Sequence, residues 1–226
     1  MFLHGYLSKK ETFIYQINCL KRFFRVIAID MSGFGNSPAP KWDYSVEDYA
    51  CEVIALIDEL GLKSYNIVAH SFGGRVAVKI ALIDKRLKKL VLTGSAGVKP
   101  KRKPSYYFKV YSYKLLKKFV NKNKLKNFGS SEYKKLSPIM QKSYLKIVNE
   151  HLDSEYKQIK NQTLIIFGDK DKETPLYMAK KINKYIKNSK LIVIKNAGHF
   201  AFIDNSALFN AYLLEFLKGG EHVFTD

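Results

Sequence analysis

The chain has 226 residues, 46% of them hydrophobic, with two cysteines and a net charge of +19. That length suits one α/β domain, or one domain carrying an insertion, and it supplies a core without help from disulfides. Cys19 and Cys51 therefore read as reduced thiols of a cytoplasmic protein, and no ligand spacing suggests a metal. No apolar run reaches the ~20 residues of a membrane span, and "MFLHGYLSKKE" lacks the basic-then-apolar order of a signal peptide. The charge is concentrated: residues 97–160 hold 17 Lys/Arg against 4 Asp/Glu. Most of these are Lys, with no nucleic-acid motif and little of the Arg used in base readout. A Lys-rich solvated face is expected there, with no specific nucleic-acid partner.

In chain order, a strand stub at Phe2–Leu3 is followed by a candidate strand, Arg25–Asp30. "SVEDYACEVIALIDELG" is a predicted helix, with Ser45 as N-cap, Asp48 three residues on, and Gly61 at its end. Tyr65–His70 is a short apolar run, and "RVAVKIAL" after it has helical period. Lys89–Thr93 is the next strand. Residues 98–159 then interrupt the alternation with amphipathic helical pattern, turns near Gly129 and Ser137-Pro138, and no convincing strand. Thr163–Phe167 and Lys190–Lys195 are strands separated by "PLYMAKKINKYI", a helix with Pro175 at its first position. "NSALFNAYLLEFLK" is the last helix and "GGEHVFTD" a frayed tail. Short Val/Ile-rich strands alternating with helices predict a doubly wound, mostly parallel sheet. Residues 1–97 and 160–226 form its core, and 98–159 are an insertion within it.

In an open α/β sheet, ligands bind at the carboxyl ends of the strands. Residues 69–74, "AHSFGG", place Ser71 at such an end, at a strand-to-helix corner with small residues two positions to either side. That is the pattern of a nucleophile elbow with Ala69 in place of its first glycine. A serine hydroxyl needs an imidazole to take its proton and a carboxylate to orient that imidazole. Of five histidines, His199 in "NAGHF" is the one placed directly after a later strand. "LIIFGDKDKETP" offers two carboxylates, Asp169 and Asp171, after the strand before that.

Together these stretches resemble the α/β-hydrolase fold superfamily. "LHGY" resembles its oxyanion loop, which implies the backbone N–H groups of Tyr6 and Phe72 as oxyanion donors. "DMSGFGNSP" resembles its glycine-rich turn, read as structural. "GDKDKETP" resembles Gly-x-x-Asp-x-x-x-Pro, which maps to Gly168, Asp171 and Pro175 and so favours Asp171 over Asp169. "GHF" resembles its histidine loop. The resemblance covers 1–97 and 160–217 and implies Ser71, Asp171 and His199 as a catalytic triad. It also implies that 98–159 are a helical cap, and that no cofactor is required. Members of the family carry two strands and part of a third before His-Gly. Here only Met1–Leu3 precede it, so Arg25–Asp30 is expected to form an exposed edge open to edge-to-edge dimerisation, and the protein to be a monomer or homodimer.

The activity expected is hydrolysis of an ester or related acyl bond of a small-molecule substrate through an acyl-enzyme. C–C bond hydrolysis, thioester or aminopeptide cleavage, and a non-catalytic small-ligand receptor are the alternatives. His70, Tyr107 and Tyr111 are candidate substrate contacts. Tyr106, Phe108 and Tyr113 belong to the same aromatic stretch, which serves equally well as helix packing. Lys99, Lys101, Arg102 and Lys103 form a basic stretch able to attract anions or simply to face solvent.

Overall fold

A computed structural model describes residues 1–101, 133 and 136–219. Within them, five parallel strands form one sheet: β1 (Phe2–Leu3), β2 (Tyr65–His70), β3 (Leu87–Thr93), β4 (Gln162–Gly168) and β5 (Ser189–Ile194). Their spatial order is their chain order. Register carries the carboxyl ends into line: Leu3 pairs with Ala69, His70 with Thr93, and Thr93 with Ile166.

Among the described residues the α-helices include α1 (Ile14–Leu20), α2 (Val46–Glu59), α3 (Phe72–Ile83), α4 (Pro138–Asn149), α5 (Asp153–Tyr156), α6 (Leu176–Tyr185), α7 (Ala201–Asp204) and α8 (Ser206–Lys218). Alternate strand residues feed two separate cores, because successive side chains leave opposite faces of a sheet. Ile67, Ala69, Leu90, Leu92, Ile165 and Phe167 pack with α2, α3 and α6. Val68, Val91, Leu164 and Ile166 pack with Phe13, Leu20 and the apolar residues of α7 and α8. Both faces are covered, which is why the strands read as continuous apolar runs.

The caps follow local chemistry. The Ser45 hydroxyl accepts from the Asp48 N–H at 3.2 Å while Asp48 accepts from the Ser45 N–H at 2.7 Å, closing a capping box on α2. Asn205 accepts from Leu208 at the start of α8. Ser137-Pro138, read as a turn, is the N-cap and first residue of α4. Pro175 is the N-cap of α6 and lies just before its first helical residue.

Arg25–Asp30 departs from expectation. It is not a ladder strand: one bridge joins Phe2 to Ala28, with the Phe2 N–H bonded to the Ile27 carbonyl at 2.8 Å. A ladder needs a partner of matching length, and β1 offers two residues. The Asp30 carboxylate instead organises the glycine-rich turn, accepting from the Lys10 N–H and Nζ, both at 2.7 Å, and from the Asn36 N–H at 3.1 Å. Burial alone would raise the Asp30 pKa, but these hydrogen bonds outweigh it and bring it down to about 2.

From β1 the chain winds one way, through α1 on one face, and from residues 25–30 it winds back through α2 on the other. Such a reversal opens a crevice at the carboxyl ends of the adjoining strands. Here those strands are β1 and β2, and the crevice receives "HGY" and "AHSFGG".

Candidate active site

Ser71 directly follows β2 and stands at the N-cap of α3 with φ 50° and ψ −109°. A non-glycine residue in such a conformation costs of order 1–3 kcal/mol, so its surroundings must over-determine it. They do. The Ser71 N–H bonds to the Thr93 carbonyl at 3.1 Å, and the Ser71 carbonyl accepts from Gly74 and Ala96, each at 3.1 Å. The Gly73 N–H reaches the His4 carbonyl at 3.1 Å, and a Cβ on Gly73 would collide with the Leu3 and His4 carbonyl oxygens. Close contact between α3 and β1 is thus what makes glycine necessary two residues after the serine.

The facing loop is tied just as closely. Nε2 of His4 accepts from the Met31 N–H at 3.0 Å, so Nδ1 carries the hydrogen and donates to the Gly5 carbonyl at 2.7 Å. That carbonyl belongs to the Gly5–Tyr6 peptide, so the bond sets the peptide's orientation. Phe72 is the first residue of α3, where a backbone N–H has no intrahelical acceptor. Helix N-termini favour negative charge by the same token.

The loop after β4 supplies Asp171, which is 5% exposed, whereas Asp169 faces solvent. Asp171 Oδ2 lies 2.9 Å from His199 Nδ1 and accepts the Thr174 hydroxyl at 2.8 Å. Its Oδ1 accepts the N–H groups of Glu173 and Thr174, both at 2.9 Å. Burial pushes the Asp171 pKa up, but the hydrogen bonds from His199 and Thr174 outweigh it, holding the carboxyl below the usual range. His199 therefore meets an ionised acceptor, and its Nδ1 carries the hydrogen that faces it.

A cavity of about 400 Å³ joins these groups. It is lined by Gly5, Tyr6, Leu7 and Ser8 of the loop after β1, by His70, Ser71, His199 and Phe200, and by Tyr133, Leu136, Tyr144 and Glu173. Tyr6 packs edge-on to Phe34 and Phe72 and tilts against Tyr144, with ring centroids 4.8, 5.7 and 5.1 Å apart. Its hydroxyl donates to the Met140 carbonyl at 3.3 Å, linking the loop after β1 to α4. Ser71 Oγ makes no hydrogen bond to another described residue. Nε2 of His199 instead lies 3.4 Å from a carboxylate oxygen of Glu173, an exposed side chain. Catalytic hydrogen bonds commonly tighten only when substrate is present.

The match to the model of the alpha/beta hydrolase fold covers residues 1–143 and 108–206. The chain belongs to the alpha/beta hydrolase fold family. It is similar to the AB hydrolase superfamily protein YisY of Bacillus subtilis, at 29% identity over 96% of this chain and 90% of that one. It is also similar to a 2-hydroxymuconate semialdehyde hydrolase of Pseudomonas putida, at 29% identity over 85% of this chain and 76% of the other. Among solved structures it resembles an esterase from Exiguobacterium antarcticum, with a TM-score of 0.77, 26% identity, and coverage of 96% and 91%.

The structure brings Ser71, Asp171, His199, Tyr6 and His70 to one place. Tyr107 and Tyr111 lie outside the described residues, as do Tyr106, Phe108 and Tyr113. Thr174, Glu173, Tyr133 and Tyr144 escaped sequence reasoning. The one signal available was the position of Thr174 three residues after Asp171, where a hydroxyl and an N–H can turn back onto a carboxylate. Among the described residues no group of His, Cys, Asp or Glu could hold a metal ion. Among the same residues no helix is long and apolar enough to cross a membrane.

Proposed function

We propose that this protein is a serine hydrolase that cleaves an ester or related acyl bond of a small substrate. The observation that carries this reading is the 2.9 Å hydrogen bond to the buried Asp171 from Nδ1 of His199, a residue that lines the same cavity as a serine held at positive φ. Ser71 Oγ attacks the acyl carbon while Nε2 of His199 takes its proton. The tetrahedral oxyanion is bound by the N–H groups of Tyr6 and Phe72, a type of donor whose loss typically costs ~10²–10³ in rate. As the intermediate collapses, His199 gives its proton to the leaving group and an acyl-Ser71 remains. Water, deprotonated by His199, attacks this ester, and Ser71 recovers its proton as the acid leaves. Asp171 stays ionised throughout and stabilises the imidazolium.

In the same reading the insertion is a cap, and the support comes from its described residues. Leu136 and Tyr144 line the cavity, and the hydrogen bond from Tyr6 to Met140 joins α4 to its rim. The similarity to a 2-hydroxymuconate semialdehyde hydrolase favours a second reading, C–C bond hydrolysis at the same three residues. A panel of short p-nitrophenyl esters and 2-hydroxymuconate semialdehyde separates the two. In either case Ser71→Ala should abolish turnover and labelling by a fluorophosphonate probe. Ester hydrolysis that persists in Ser71→Ala overturns the nucleophile.

A further inference from the structure

His70 ends β2 immediately before Ser71 and is 1% exposed. Its Nε2 lies 3.0 Å from the backbone carbonyl of His199. A carbonyl only accepts, so Nε2 carries the ring hydrogen. The ring also backs the His199 imidazole, with centroids 4.6 Å apart, and contacts Phe200 at 4.9 Å and Phe202 at 5.0 Å. Nδ1 has no hydrogen-bond partner among the described residues and is pressed against Gly5, where a Cβ would come within 2.8 Å of it.

We propose that His70 is a positioning residue: its Nε2–H clamps the His199 backbone and its ring, tilted 54° to the His199 imidazole, packs against it and limits its swing. This rests on the reading of Ser71, Asp171 and His199 as a triad. The hydrogen bond to Asp171 constrains His199 at one ring nitrogen and leaves the ring free to swing about that bond. His199 lies in the loop between β5 and α7, where its neighbours are tied through the Ala197 carbonyl, the Gly198 N–H and the Phe200 carbonyl, and its own carbonyl is held by His70. Holding the His199 carbonyl supplies the second point of attachment and so sets where Nε2 meets Ser71. A small misplacement of such a group can cost ~10²-fold in rate. Imidazole suits the task because it donates without charge. Burial, and then the proximity of His199, push the His70 pKa down to about 3, so it adds no cation beside the imidazolium that forms in turnover.

The test compares wild type with His70→Phe, which keeps an aromatic ring without the donor, and His70→Gln, which restores an N–H near the position of Nε2. On p-nitrophenyl butyrate, His70→Phe should lose 10- to 100-fold in kcat with little change in KM, and His70→Gln should recover to within about fivefold of wild type. Wild-type kcat in His70→Phe, or equal losses in both variants, overturns the proposal. His70→Asn, whose amide is too short to reach the carbonyl, replaces His70→Phe if that variant does not fold. A second readout needs no turnover: the NMR resonance of the His199 Nδ1 proton should shift or broaden in His70→Phe and persist in His70→Gln. An unchanged resonance in His70→Phe also overturns it. If wild type neither hydrolyses esters nor labels at Ser71, the triad reading fails, and the resonance alone decides whether His70 holds His199.

Discussion

Thr174 donates its hydroxyl to Oδ2 of Asp171, the same carboxylate oxygen that His199 Nδ1 contacts. The hydroxyl is also 3.3 Å from Nδ1 itself, so three groups share one small volume. Replacing Thr174 with Val keeps the shape and removes a hydrogen bond to a charged group, an interaction worth about 1.5–3 kcal/mol. Thr174→Val should lower kcat/KM by about 10- to 100-fold while Ser71 remains in place. Steady-state kinetics on a short ester with fluorophosphonate labelling rates would check this; an unchanged kcat/KM would show that the Asp171–His199 pair needs no third member.

Gly5 and His70 leave each other no room. A Cβ at residue 5 would meet the imidazole at 2.8 and 3.3 Å, and the ring is held on its far side by the His199 carbonyl. Overpacking of this kind typically costs 1–3 kcal/mol. For a domain of this size that corresponds to a fall in Tm of roughly 2–12 °C. Gly5→Ala should show that fall by calorimetry, together with a loss of at least about tenfold in kcat. A variant with wild-type Tm would show that the ring yields.

Glu173 stands at the face of His199 that must reach Ser71. Its contact with Nε2 is 3.4 Å, and its side chain is 69% exposed, so the interaction is worth no more than about 1 kcal/mol. Glu173→Gln should therefore raise kcat/KM on a neutral ester by up to about fivefold, most visibly at low ionic strength. A decrease would mean that the carboxylate assists turnover.

Stability should respond to acid in two windows. The Asp30 pKa is held down to about 2 from an ordinary 3.8. Its contribution is complete above about pH 4, fades as pH falls toward 2, and is absent below that. The His70 pKa is also lowered, from 6.5 to about 3, but here the lowered group is a base. Below pH 6.5 the unfolded chain takes a proton that the native state refuses, so stability falls with pH between 6.5 and 3, by at most about 1.4 kcal/mol per unit. Tm measured from pH 7 to 3 should fall less steeply in His70→Gln below pH 6, and less steeply in Asp30→Asn below pH 4. Parallel curves for wild type and both variants would contradict the two assignments.

Sequence alone determined the elements whose cause is local. Apolar runs of Val and Ile marked β2 to β5, Ser45 with Asp48 marked the start of α2, and Ala69-His70-Ser71-Phe72-Gly73 marked the sharp corner. The residues alone left Asp169 and Asp171 both open, and the resemblance of "GDKDKETP" to the family motif favoured Asp171; the structure has Asp171 buried and bonded to His199, with Asp169 in solvent. Tertiary structure decided everything that depends on what lies across a gap. Arg25–Asp30 has strand composition but only a two-residue neighbour, so it makes a single bridge. Glu173 and Tyr144 carry no signature of their own and matter because the loop after β4 and the helix α4 converge on the ends of β1 and β2. His70 is the sharpest case. Its place beside Ser71 was plain from the sequence, but its direction was not, because the partner it holds is a backbone carbonyl, and backbone carbonyls are the same in every residue.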